Sequence, residues 1–344
     1  MKISKFSNCL IILAFLGAGA AQAELEKGLE AFEAGDFETA LEEFTEDAEK
    51  GVALAQYNLG LMYHQAIGVQ QDYERAMQLF ALSAQQGVTR SQYYLGAMYD
   101  NAQGVPQDYA EAYRWYEMAA EQGDADAQYA VGTMNFYGQG KAEDYQEALA
   151  WYQQASEQGH RDSQYNLGVM YANGFGTKPD AQLAYKWFLA AAENGAGSAD
   201  AQYNLGIMYA EGVGVEADPV ASLNWFKRAG EQGIASALAR VGIAYASGAG
   251  VERDYVQARE WFNRAAIRGD VPAQSFMGRL YLNGFGLEEQ DLVTAYMWYK
   301  IANTNGDEEA TNVLATLRGY LKPEEIAEAE QRAVQWSMIN RRRR

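Results

Sequence analysis

The chain has one cysteine, two histidines and five prolines in 344 residues, and it is short of positive charge. Each shortage excludes something. One cysteine closes no disulfide within a chain, and with two histidines it cannot furnish a zinc cage. The histidines, His64 and His160, stand almost three repeats apart. They suit neither a shared metal site nor a Ser-His-Asp set, and both are expected to be solvated. Twenty-seven basic against 46 acidic side chains give a net charge of −19, which argues against nucleic acid as a partner. Long apolar runs are scarce as well, so no stable membrane insertion is expected.

What is present begins with an address. Lys2 and Lys5 precede an apolar run from Cys9 to Leu16, and Ala21-Gln22-Ala23 is a small-x-small cleavage site. Residues 1–23 therefore read as a secretory signal peptide, cleaved after Ala23, with an uncleaved anchor as the alternative. Cleavage leaves 321 residues, removes two lysines and the only cysteine, and takes the charge from −19 to −21. The expected location is the periplasm or the medium, where cytosolic cofactors such as ATP or NAD are out of place. No cofactor is expected.

Thirty-four glycines are too many for an ordinary domain, and no every-third-residue period makes them collagen. They recur with a longer period. Ala55-Gln56-Tyr57-Asn58-Leu59-Gly60 returns in seven copies closed by glycines 60, 96, 132, 168, 206, 242 and 278. The spacings are 36 residues except for one of 38. A glycine-rich loop follows, then an Asp (Asp72, Asp108, Asp144, Asp180, Asp218, Asp254, Asp291) and a pair of aromatics such as Trp115-Tyr116. A trailing glycine closes each unit.

Physically, each unit is a helix, a turn and a helix. Ala55, Leu59, Met62 and Tyr63 make one buried stripe. A mid-helix glycine costs up to about 1 kcal/mol against alanine, so seven copies imply close approach of the partner helix. The Gly-x-Gly loops supply positive φ, the Asp is an N-cap, and the trailing glycine is a helix stop. Neighbouring units must stack to bury their aromatics.

The pattern A-x-Y-x-L-G-x-M-Y, then G-x-G, D and A-x-x-W-[YF]-x-x-A-A-x-x-G, resembles the Sel-one-like repeat family, a relative of the tetratricopeptide repeat. The resemblance implies an all-α fold, an α-solenoid built as a right-handed superhelix of antiparallel helix pairs. It divides the chain into a leading tetratricopeptide-like pair at 24–50 and seven repeats at 51–306. A degenerate repeat and capping helix follow at 307–340, with Ala315 at the glycine position, and then a basic tail at 341–344. Some cysteine-rich relatives are linked to β-lactams, an association that a chain without mature cysteine does not inherit. Arg341 to Arg344 form either a solubilising tail or a tether to an anionic surface or acidic partner; four arginines are few for stable membrane attachment.

Catalytic, cofactor and metal residues are expected to be absent. Acidic pairs such as Glu42-Glu43 are numerous by composition alone, and none stands out as having a raised pKa. Asp124 and Asp126 read as capping residues between helices. The candidate site is the concave face of the first helices, where Tyr57, Tyr93, Tyr129, Tyr165 and Tyr203 recur and Phe136, Arg279 and Leu282 break the pattern. The tyrosines either pack between repeats or bind a partner, since a phenol offers apolar area and a polar contact together. The leading function is a non-enzymatic extracytoplasmic adaptor that holds a protein or peptide in the groove. The alternatives are a secreted factor that binds a host or neighbouring-cell protein, and, further off, a cell-wall or β-lactam-acting enzyme. The identity of the partner and the oligomeric state are not legible.

Overall fold

Apolar stripes, glycine stops and aspartate starts alternate along the chain, and they fold as helix pairs. A computed structural model describes residues 21–341, with side chains from 25 to 340. All but the last three positions of the expected signal peptide, and three of the four terminal arginines, lie outside the described residues. Among the described residues there are eighteen α-helices in nine pairs and no strand, the make-up of a helical-repeat α-solenoid.

Two compact units divide the chain: residues up to Ser163 with 175–177, and residues 164–174 with everything from Lys178. The first holds α1 (Ala21–Ala34), α2 (Phe37–Glu49), α3 (Ala53–Gln65), α4 (Tyr73–Gln85), α5 (Thr89–Asp100), α6 (Tyr109–Glu121), α7 (Ala125–Tyr137) and α8 (Tyr145–Glu157). The second holds most of α9 (Arg161–Asn173), then α10 (Ala181–Glu193), α11 (Ala199–Glu211), α12 (Pro219–Glu231), α13 (Ala235–Ser247) and α14 (Tyr255–Ile267). It ends with α15 (Val271–Asn283), α16 (Leu292–Thr304), α17 (Glu309–Leu317) and α18 (Pro323–Arg341).

The mid-helix glycine has the role its recurrence implies. In the first unit Gly60 lies under Phe80, Gly96 under Tyr116 and Gly132 under Tyr152. In the second, Gly168 lies under Phe188, Gly206 under Phe226, Gly242 under Phe262 and Gly278 under Tyr299. A methyl group at any of the seven would stand 2.5–2.8 Å from a ring carbon. The rings are deeply buried, and burying one contributes roughly 1.5–3 kcal/mol, which outweighs the helix-propensity loss of about 1 kcal/mol. The leading pair obeys the same rule with Gly28 under Phe44. Glycine and ring are four residues closer in sequence there because the glycine loop is missing.

A second device joins one pair to the next. Gln56 on α3 is buried; its Nε2 donates to the Ala48 carbonyl of α2 at 3.2 Å, and its Oε1 accepts from Gln86 after α4 at 2.9 Å. Gln92 repeats this with Ala84 and Gln122, and Gln128 with Ala120 and Gln158. In the second unit Gln202 and Gln274 do the same with Ala192 and Gln232, and with Ala266 and Asn305. The ladder is broken once. Leu238 replaces the glutamine and packs against Gly230, where a Cβ would meet its Cδ2 at 2.6 Å.

Each expected Asp caps its helix through its side chain, for example Asp72 from the Arg75 amide at 2.9 Å. The loops depart from expectation in two copies: Ala66 and Ala102 take the positive φ that other copies give to glycine. At the far end α18 packs on α16 through buried Ala329 and Ala333 and an edge-on Trp298–Trp336 pair at 5.1 Å. Ala315 is exposed. It needs no glycine, because no ring stands over it.

Two substitutions test these joints. Gly168→Ala stabilises an isolated helix but is expected to destabilise this protein by about 1–3 kcal/mol through overpacking. Gln128→Leu, which strands the Ala120 carbonyl, is expected to cost about 1–3 kcal/mol. Urea unfolding midpoints check both; an unchanged or raised midpoint contradicts the corresponding contact.

Candidate partner-binding face

The five recurring tyrosines all lie against the ring that covers the glycine. Ring centroids are 6.0 Å apart for Tyr57–Phe80, 5.6 Å for Tyr93–Tyr116 and 5.9 Å for Tyr129–Tyr152 in the first unit. In the second they are 5.8 Å for Tyr165–Phe188 and 5.6 Å for Tyr203–Phe226. Tyr57 is only 1% exposed, because Tyr94 of the next repeat also lies against it at 6.1 Å, so it offers no surface to a partner. The other four are half-buried, each tilted against its ring.

Tyr93 and Tyr129 share a cleft of about 350 Å³ with Asp100, Asp126 and His160. Above Tyr93 lies the Arg90 guanidinium, 4.6 Å from the ring centre. Arg90 bonds Asp124 at 3.0 Å and Asp126 at 2.8 Å. Burial works against its charge, but the two carboxylates outweigh that, and its pKa is raised. Burial, with Asp126 nearby, pushes the Tyr93 hydroxyl up to about 12. Asp126 is lowered to about 2, first by its hydrogen bond to His160 and then by Arg90.

Three expectations are corrected here. The histidines are not solvated: His160 stacks on Tyr129 at 4.7 Å, and His64 is wedged between Tyr73 and Tyr94 with Nε2 3.0 Å from Gln103. Asp124 does cap α7, but Asp126 lies inside that helix, and both pair with Arg90. Two acids do have raised pKa values, Asp100 and Asp270, both through burial.

Asp126, His160 and Ser163 also fall into line, with His160 Nε2 3.5 Å from Asp126 and Nδ1 2.9 Å from Ser163 Oγ. This is not a nucleophile at work. Ser163 is fully buried, and His160 Nδ1 also accepts from the Ser163 backbone N–H, as a cap for α9. Among the described residues no group of three or more His, Cys, Asp or Glu could hold a metal ion.

The pattern-breaking residues go to separate places. Phe136 packs into a loop cluster with Tyr145 at 5.1 Å and Phe175 at 5.4 Å. Leu282 is half-buried against the C-terminal core. Arg279 is exposed on a cavity of about 540 Å³.

The family model for the Sel1 repeat matches seven segments, residues 53–88, 89–124, 125–160, 161–195, 199–234, 235–270 and 271–307. These cover well over half of the chain. It belongs to the Sel1 repeat family. A solved Sel1 repeat protein from Oxalobacter formigenes is 32% identical, with 87% of this chain and 88% of that one covered at a TM-score of 0.65. A protective antigen of uropathogenic Escherichia coli strains, displaying an SLR fold, is 27% identical over 93% of this chain and 84% of its own, at a TM-score of 0.53. No curated protein matches. Sel1 arrays are helical scaffolds typical of protein–protein interaction and are generally non-catalytic.

Sequence reading missed the Arg90–Asp126 pair, although a signal was there. In a Sel1 array, residues one repeat apart are spatial neighbours, and Arg90 and Asp126 occupy the same register 36 positions apart. The folded pKa of Asp126 lies below the ordinary value near 4, so its contribution to stability is full above about pH 5. That contribution is lost as pH falls toward 2. The side chain is 47% exposed, so solvent screening keeps the effect small. Asp126→Asn is expected to flatten the acid limb of stability between pH 5 and 2, as read from urea midpoints. An identical pH profile in the variant contradicts the pairing.

Proposed function

We propose that this Sel1-repeat chain is a non-enzymatic extracytoplasmic scaffold that holds a protein or peptide partner against the face of its odd-numbered helices. The observation that carries the reading is the first unit's cleft, where half-buried phenol rings, a stacked imidazole and carboxylates stand side by side. Rings already held on one face by the core can meet a partner with little loss of side-chain freedom. The buried Ser163 supports a role without a nucleophile. Lys2, Lys5, the apolar run and Ala21-Gln22-Ala23 support export.

A photo-crosslinking amino acid at Ala130, which lines the cleft, tests the reading in cells against one at Met118, which is exposed on α6. A discrete adduct from Ala130 and none from Met118 is expected, on a protein whose N-terminus is Glu24 and which fractionates outside the cytoplasm. Equal labelling from both positions, or an intact N-terminus on cytoplasmic protein, overturns it.

A further inference from the structure

The seventh repeat lacks two covers that the others provide. In five repeats a tyrosine lies on the ring that closes the glycine. In the sixth the tyrosine is replaced by Ala239, but Phe276 from α15 lies flat on Phe262, at 4.9 Å and 15°. In the seventh, Ser275 stands in the tyrosine position, and Val313 of α17 stands where Phe276 stood one repeat earlier. Tyr299 still closes Gly278, but it now lines a cavity of about 540 Å³. That volume is in the range that seats a ligand group, and the wall is mostly apolar.

Its charged groups are Arg279 and two acids, Asp307 and the exposed Glu309, and they are unequal. Asp307 is already held: it accepts from the Ser275 hydroxyl and, as the cap of α17, from the Glu309 and Ala310 amides. Arg279 is exposed and has no ion-pair partner among the described residues. Burial raises the pKa of the Tyr299 hydroxyl; Arg279 opposes that rise and Asp307 adds to it. The cavity thus exposes a small part of the Tyr299 ring, 7% accessible, at the place of the missing tyrosine, with an exposed guanidinium beside it.

We propose that this cavity takes the C-terminal residue of a peptide with an aromatic side chain, its ring lying on Tyr299 where the missing tyrosine would lie and its carboxylate on Arg279. The protein itself packs a phenol in this relation in five repeats, at 5.6–6.0 Å. A planar carboxylate suits a guanidinium fork. The proposal rests on reading the odd-helix face as peptide-binding and names the chemistry of one place on it.

The test is calorimetric titration of the full-length chain with acetyl-Gly-Gly-Tyr, its C-terminal amide, and acetyl-Gly-Gly-Ala. The free acid of the tyrosine peptide is expected to bind at least tenfold more tightly than either control. Ser275→Tyr restores the internal ring and is expected to abolish binding without lowering the urea midpoint; Val313→Phe fills the same space from the other helix. Arg279→Gln is expected to reduce the acid to the affinity of the amide. No binding by the wild type, equal binding of the three peptides, or unchanged binding in both filled variants overturns the proposal. If the tripeptide fails while the Ala130 adduct persists, only this pocket falls and the broader reading of the face stands. If the adduct is lost while the tripeptide still binds, the pocket stands and the broader reading falls.

Discussion

The contact between a missing side chain and an aromatic ring sets the geometry of every repeat. Glycine in mid-helix lets the neighbouring helix lower a phenyl or phenol ring onto bare backbone. The ring then sits too deep to be replaced by a larger neighbour on the opposite side, and its outer face becomes the platform for the next layer. A tyrosine of the same helix, or a ring from the following repeat, covers that platform. Depth, helix spacing and the choice of covering residue all follow from one absent methyl group.

The odd-helix face is consequently a row of positions with a common frame and different fillings. In the first unit the filling is polar: Tyr93 and Tyr129 with Arg90, Asp126 and His160. In the second unit, around Ser275, it is missing, and an apolar cavity is left. A repeat scaffold can vary its chemistry along its length this way without disturbing the glycine contact beneath.

Most of the architecture was legible because it is written in period. The 36-residue spacing, the aspartate caps and the glycine stops all survive comparison with the folded chain. The close-approach argument was legible because a repeated energetic cost demands a repeated return. The glutamine ladder was not: a single Gln looks like a surface residue, and its two partners lie 8 residues before and 30 residues after it. The charged cluster was missed for a related reason. Arg90 and Asp126 are distant in sequence but adjacent in register, and His160 was judged by its loop position rather than by what stacks on it. Tyr57 differs from its four counterparts only because its neighbour carries Tyr94, a distinction that consensus reading averages away.

The ladder also bears on the protein's unusual charge. The last turns of α2, α4, α6, α8 and α10 contain no basic residue. Their terminal carbonyls would ordinarily favour Lys or Arg nearby. Neutral amides from glutamine satisfy carbonyls there instead, as at Ala48, Ala84 and Ala120. Seams joined largely by uncharged donors need few cations, Arg90 and Arg228 being two that do bridge repeats, and the chain keeps its −19. Long-range repulsion between like-charged copies then opposes end-to-end stacking, the colloidal hazard of any protein built by stacking copies of one unit.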